Sequence, residues 1–206
     1  AFQGSAGNPA SQIHQSSALT FSHQARRELL SSARSTVNAA VKGERVVFTP
    51  SNTEELQVKA GCFVTLKSKG KLRGCVGTFQ SIQPLWKTVQ EMAVASATED
   101  RRFADTPIGP EETSDLEIEI SVLSPMHRVT NPLEEIKLGR DGIVIVDNGR
   151  MGTFLPQVAA ESGWSLEEFL GHCARDKAGL GWEGWKNPTA RVYTYTATIV
   201  REQPER

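Results

Sequence analysis

No stretch of the chain approaches the ~18 consecutive apolar residues that a membrane-spanning helix needs. Cysteine is scarce: Cys62, Cys75 and Cys173 are widely spaced and form no Cys-x-x-Cys pair. A sparse, odd set argues against a disulfide framework and for a reducing compartment. An excess of either charge is missing as well. The 23 Lys and Arg residues against 24 Asp and Glu leave a formal net charge of −1. No bulk positive field therefore draws the molecule onto nucleic acid or an anionic membrane, and any anion site has to be a local cluster. The four histidines, His14, His23, His127 and His172, do not recur at metal-ligand spacing, so no metal site is assigned, although a carboxylate-only site leaves little trace in spacing. Gly-x-Ser-x-Gly and P-loop patterns are absent, which removes the common serine-hydrolase and P-loop nucleotide-binding readings. Residues 1–19 contain neither a basic segment nor an apolar run. They are expected to be a disordered polar tail rather than a signal peptide, and Phe2-Gln3-Gly4 resembles the remnant of a cleaved tag. The expected address is the cytoplasm, with no membrane association.

What is present suits a globular fold. The 206 residues are 38% apolar and 23% charged, enough for one large domain or two small subdomains sharing a core. Phe21, Ala25, Leu29, Ala33, Val37 and Val41 recur every four residues and predict a long amphipathic helix stopped near Gly43. Cys62 to Leu66 reads as a strand, Lys69-Gly70-Lys71 as a turn, and Leu72 to Phe79 as the returning strand. Glycine weakens a strand interior, so Gly74 and Gly77 predict a bulge or a close approach of backbone to something. Pro84 opens a second helix with Leu85, Val89, Met92 and Ala93 on its inner face. Leu116, Ile118, Ile120 and Val122 alternate with Glu117, Glu119 and Ser121, the mark of a half-buried strand. Asn148-Gly149 between two apolar runs predicts a hairpin over 142–155. Ser165 and Glu168 form a capping box for a helix running to about Ala178. Val192 to Val200 is expected to be a single closing strand. Strands and helices mix without a regular βαβ rhythm, so the class is α+β.

The chemistry concentrates in Leu72-Arg73-Gly74-Cys75-Val76-Gly77. Two glycines let backbone N–H groups approach a ligand. Arg73 supplies a planar fork for carboxylate or phosphate. Cys75 has two readings, a thiol activated near cations or a small buried hydrophobe. Lys67, Lys69 and Lys71 read as exposed hairpin residues that deter edge pairing. Asp100 and Arg102 sit in a loop that either closes a pocket or is pinned by their own ion pair. His172 lies on the flank of the helix after Ser165. A Cys75–His172 pair would meet the requirement for nucleophile plus base, but spacing alone does not bring the two together.

Leu72-Arg73-Gly74-Cys75-Val76-Gly77-Thr78-Phe79 resembles the signature of the AMMECR-one family, with Val76 where the family usually has isoleucine. Asp100-Arg101-Arg102-Phe103 looks like its D-x-R-F loop. Leu155-Pro156-Gln157-Val158, Trp164 and Lys177-Ala178-Gly179-Leu180 look like its C-terminal signature. The resemblance runs from about Phe21 to Glu202. It implies a single domain over residues 20–203 made of two interleaved subdomains, with mixed or antiparallel sheets, flanking helices, and the first signature at or near a cleft between lobes. It also implies association with Memo-like and radical-SAM proteins in a modification pathway, and it names no cofactor. Two functions follow as expectations. One is a catalytic or substrate-handling subunit, with Cys75 as candidate nucleophile and Arg73, Gly74, Gly77, Asp100, Arg102 and His172 lining a cleft for an anionic small molecule or protein segment. The other is a non-catalytic module that docks a partner protein or nucleic acid; the near-neutral charge gives the nucleic acid little support.

Overall fold

The structure, a computed structural model, describes residues 18–202. The polar tail expected over residues 1–19 falls outside them except at Ala18 and Leu19, and Leu19 already packs against the first core. In chain order the main elements are α1 (His23–Val41), β1 (Cys62–Ser68), β2 (Lys71–Thr78), α2 (Leu85–Thr98), β3 (Leu116–Leu123), β4 (His127–Val129), α3 (Pro132–Glu135), β5 (Gly142–Asp147), β6 (Arg150–Phe154), α4 (Pro156–Ser162), α5 (Leu166–His172), β7 (Arg191–Tyr195) and β8 (Ala197–Arg201). The fold is α+β, with two antiparallel four-stranded sheets ordered β2-β1-β3-β8 and β4-β7-β5-β6. No helix among the described residues is long and apolar enough to cross a membrane.

Period-four spacing explains the first lobe. Ser22 caps α1 by accepting the Ala25 N–H, and Ala25, Leu29, Ala33 and Val37 are fully buried along one stripe. That stripe and the inner face of α2 (Leu85, Val89, Ala93) cover one face of the first sheet, where Cys62, Val64, Leu66, Ile118 and Ile120 complete the core. β1 and β2 turn at Lys69 and Gly70, both with positive φ, the backbone twist a tight hairpin needs. Arg73 is skipped in the pairing, because Leu66 faces Gly74 while Lys67 faces Leu72. The bulge expected from the glycines is therefore at Arg73.

The second lobe packs Ile143, Ile145 and Phe154 of its sheet against Phe169, Leu170 and Cys173. Both bonds of the capping box between Ser165 and Glu168 are formed. α5 then passes into one π-helical turn, Cys173–Lys177, before Gly179 ends it at φ +67°.

The closing strand differs from expectation. Residues 192–200 do not run on in one sheet: β7 belongs to the second sheet, β8 to the first, and Thr196 is the crossing point. Its N–H donates to Ser124 Oγ and its carbonyl accepts the Ser124 N–H, both at 2.9 Å. Ser124 is itself the point where the chain leaves the first sheet, since Pro125 has no N–H to continue a ladder. Two crossings side by side thus join the lobes. Periodicity cannot show this, because residues before and after Thr196 are equally strand-like.

A third cluster buries Leu123, Val144 and Tyr195 with Phe63, Phe79, Met126 and Tyr193 against them. These side chains come from the faces of both sheets that carry no core helix. The two open faces meet there.

Candidate functional site

Strand pairing places the residues of the open face of the first sheet. Cys75 opposes Thr65, Thr65 opposes Glu119, and Glu119 opposes Arg201, so the four make one row across the four strands. The next row is Gly77, Phe63, Ser121 and Ile199. Phe63 meets Phe79 edge-on at 5.3 Å, and Phe79 meets Tyr195 of the other sheet at 5.8 Å. The face therefore offers a thiol, a hydroxyl and a carboxylate beside an aromatic wall where the lobes touch. Glu119 is paired with Arg201 at 3.4 Å.

Cys75 is half-buried on this face, whereas Cys62 and Cys173 are fully buried. The Thr65 hydroxyl donates to Cys75 Sγ at 3.3 Å. The backbone of Cys75 is held from the sheet edge by side chains that imitate a neighbouring strand. Its N–H donates to Asp100 Oδ2 at 2.9 Å, and its carbonyl accepts from Arg102 Nη2 at 3.1 Å. Asp100 and Arg102 are tied to each other through Oδ1–Nε at 2.9 Å and Oδ2–Nη2 at 2.6 Å. This arrangement pins the loop and covers the edge of β2.

Burial pushes the Cys62 thiol far up and the Cys173 thiol up to about 12. The Arg102 guanidinium, helped by the Cys75 and Arg102 N–H groups, holds the Asp100 carboxyl down at about 2. A carboxyl depressed by folding contributes stability above its unfolded value near 3.8 and loses it as pH falls toward 2. Asp100 is 7% exposed in its side chain, so the contribution at neutral pH is on the order of 2 kcal/mol. Urea unfolding at pH 7, 4, 3 and 2.5 should show Asp100→Asn less stable at pH 7 but with a shallower fall below pH 4. Equal slopes in variant and parent would place the acid sensitivity elsewhere.

The glycines serve the fold. A Cβ on Gly74 would sit 2.0 Å from the Ser96 carbonyl oxygen of α2, and one on Gly77 would sit 2.4 Å from the Phe63 ring. The close approach expected at both positions is to the protein's own helix and ring. The Ser96 hydroxyl fastens the same contact, accepting the Val76 N–H at 2.9 Å and donating to the Val64 carbonyl at 2.7 Å.

Arg73 is engaged internally as well. Its Nε and Nη2 hold Glu112 at 2.5 and 3.0 Å, and Nη2 also reaches the Thr106 and Pro107 carbonyls. The fork expected to take an anionic ligand already has its carboxylate. Glu112, whose role spacing does not reveal, is that partner; it arrives from a turn almost forty residues downstream.

His172 is not brought to Cys75. It stacks on Trp164 with ring centroids 3.9 Å apart, meets the edge of Trp182 at 4.9 Å, and approaches Asp176 at 2.8 Å, all within the second lobe. The nucleophile–base pair of the sequence reading is thus not assembled. Gly171 leaves room for the Trp182 ring, which a Cβ would meet at 2.5 Å. Phe63, Thr65 and Glu119 are site residues that the motif search passed over. The period of two along the strand over Cys62 to Leu66 was the available signal for the first two, and the alternation through Leu116 to Val122 for the third.

The AMMECR1 family model matches residues 30–200. The chain belongs to the AMMECR1 family. A protein of Thermococcus gammatolerans is 40% identical over 181 residues, covering 83% of this chain and 87% of its own length. One from Nanoarchaeum equitans is 38% identical over 176 residues, covering 82% of this chain and 96% of its own. The crystal structure of an uncharacterized Pyrococcus horikoshii protein superposes with a TM-score of 0.76 at 37% identity, over 85% of this chain and 90% of that one. The two-sheet α+β architecture is therefore that of a solved AMMECR1 relative.

Proposed function

We propose that this AMMECR1 protein is a substrate-handling subunit of a modification system, holding a ligand or protein segment on the open face of its first sheet with Cys75 at the centre. The exposure of Cys75 carries the reading. It is the one cysteine of three that folding leaves half-open, and its thiol is oriented by Thr65 beside the aromatic wall. Substrate handling is preferred to nucleophilic catalysis because, among the described residues, the polar side chains that reach Sγ are the Thr65 hydroxyl and the Arg102 guanidinium, neither of which is a base. The Asp100–Arg102 clamp supports either role by fixing the backbone of Cys75 from the edge.

The partners in this proposal are the Memo-like and radical-SAM proteins that the family resemblance implies. Calorimetric titration of a purified Memo-like protein against the native chain, and against the chain alkylated at Cys75, tests it. The expected result is binding by the native protein that weakens at least tenfold on alkylation. Equal affinity of the two forms would move the contact off this face, and binding by neither would remove the Memo-like protein as partner.

A further inference from the structure

Where the two lobes join at the opposite edge of the first sheet from Cys75, a cavity of about 440 Å³ lies between β8 and α4. Three strand spacings, roughly 14 Å, separate β8 from β2, so this cavity is separate from the proposed face around Cys75. Its walls combine the apolar side chains of Pro156, Ala160, Ala197 and Ile199 with the polar groups of Gln157, Glu161 and Thr196.

Two of these polar groups are anomalous. The Thr196 hydroxyl oxygen and Gln157 Oε1 are both buried, and neither has a hydrogen-bond partner. Thr196 as a residue is 5% exposed. Buried polar atoms are almost always paired, and each exception calls for an explanation. Five buried side-chain atoms among the described residues lack a partner, and two of the five fall on the wall of this one cavity. Gln157 also stands in the Leu155-Pro156-Gln157-Val158 motif, which the face around Cys75 leaves unexplained.

The chemistry of the wall is that of an acceptor. Gln157 brings a carbonyl oxygen and Thr196 a hydroxyl that accepts or donates, both buried just behind the wall, and Glu161 adds an exposed carboxylate. The cation at the rim, Arg140, is already neutralised by Asp141, which takes both its Nε and Nη2 at 2.7 and 2.6 Å. An acceptor-rich wall with an uncompensated carboxylate and an aliphatic floor suits a protonated amine on a short apolar body. We propose that the cavity between α4 and β8 is a binding site for a small alkylammonium ligand, whose N–H groups are taken by Gln157, Thr196 and Glu161. A small turn of the Gln157 amide and the Thr196 hydroxyl into the cavity they line completes it. That turn is favoured because it satisfies groups the empty protein leaves unpaired. Thr196 is also the residue at which the chain passes between sheets, so the ligand sits against the junction of the lobes.

The test is an NMR titration of isotope-labelled protein with n-butylamine at pH 7, where the amine is protonated, with n-butanol as the uncharged control of similar shape. The expected result is saturable shifts of the Gln157 side-chain amide and the Thr196 backbone amide, with a Kd in the millimolar range. Butanol should bind at least tenfold more weakly. Gln157→Leu and Thr196→Val, which keep the volume and remove the unpaired atoms, should each weaken amine binding about tenfold. Flat titration curves would overturn the proposal, as would equal binding of butanol. Unchanged binding by variants that remain folded would overturn it too, since the amine would then be bound elsewhere.

Discussion

Gly74→Ala is expected to destabilise the protein by about 3 kcal/mol, at the upper end of what overpacking usually costs. The added methyl would lie 2.0 Å from a backbone carbonyl, that of Ser96, rather than from the end of a flexible side chain. Relief requires β2 or α2 to move, yet the Ser96 hydroxyl holds the helix to both β1 and β2. Loss of that contact opens the first core around Val64, Leu66 and Ala93. Urea unfolding followed by circular dichroism measures the effect, with Lys71→Ala at the exposed hairpin as a near-neutral control. A loss below about 0.5 kcal/mol would show that the strand and helix have slack the structure does not contain.

The second large effect is expected at Arg73. Arg73→Met and Glu112→Gln should each cost roughly 3 kcal/mol, because each strands the partner of a largely shielded ion pair. The side chains are only 16% and 27% exposed. The double variant should cost clearly less than the sum of the two, with a coupling above about 1 kcal/mol. Arg73→Lys should rescue little, since a single ammonium cannot span both carboxylate oxygens and the two loop carbonyls. This separates the internal role from the ligand-binding one. Near-neutral stability in Arg73→Met, combined with lost partner binding, would return the fork to the site.

Much of the architecture was legible because its determinants are local. The α1 stripe, the Ser165–Glu168 box, the Asn148-Gly149 turn and the alternation through Leu116 to Val122 each carry their own periodicity or turn chemistry. The split at Thr196 was not, because it depends on Ser124 some seventy residues away. At the site the motif was visible, but its meaning was not. Gly74 and Gly77 read as places of close approach, and they are, but what approaches is Ser96 and Phe63 from other elements. Arg73 read as an open fork because Glu112 is distant in sequence. His172 read as a possible partner for Cys75, and only the packing of Trp164 and Trp182 shows that it belongs to the other lobe. The period of two in any strand puts Thr65 and Phe63 on one face, yet which face stays open is decided by where α1 and α2 pack.

The most direct test of the open-face account is the alkylation rate of each cysteine in the native protein between about pH 5 and 10, resolved by peptide mass spectrometry. The account predicts that Cys75 is modified in the folded state while Cys62 and Cys173 stay protected until the protein unfolds. Protection of Cys75 equal to that of the other two would contradict it, and would make the thiol part of the packing rather than the centre of a site.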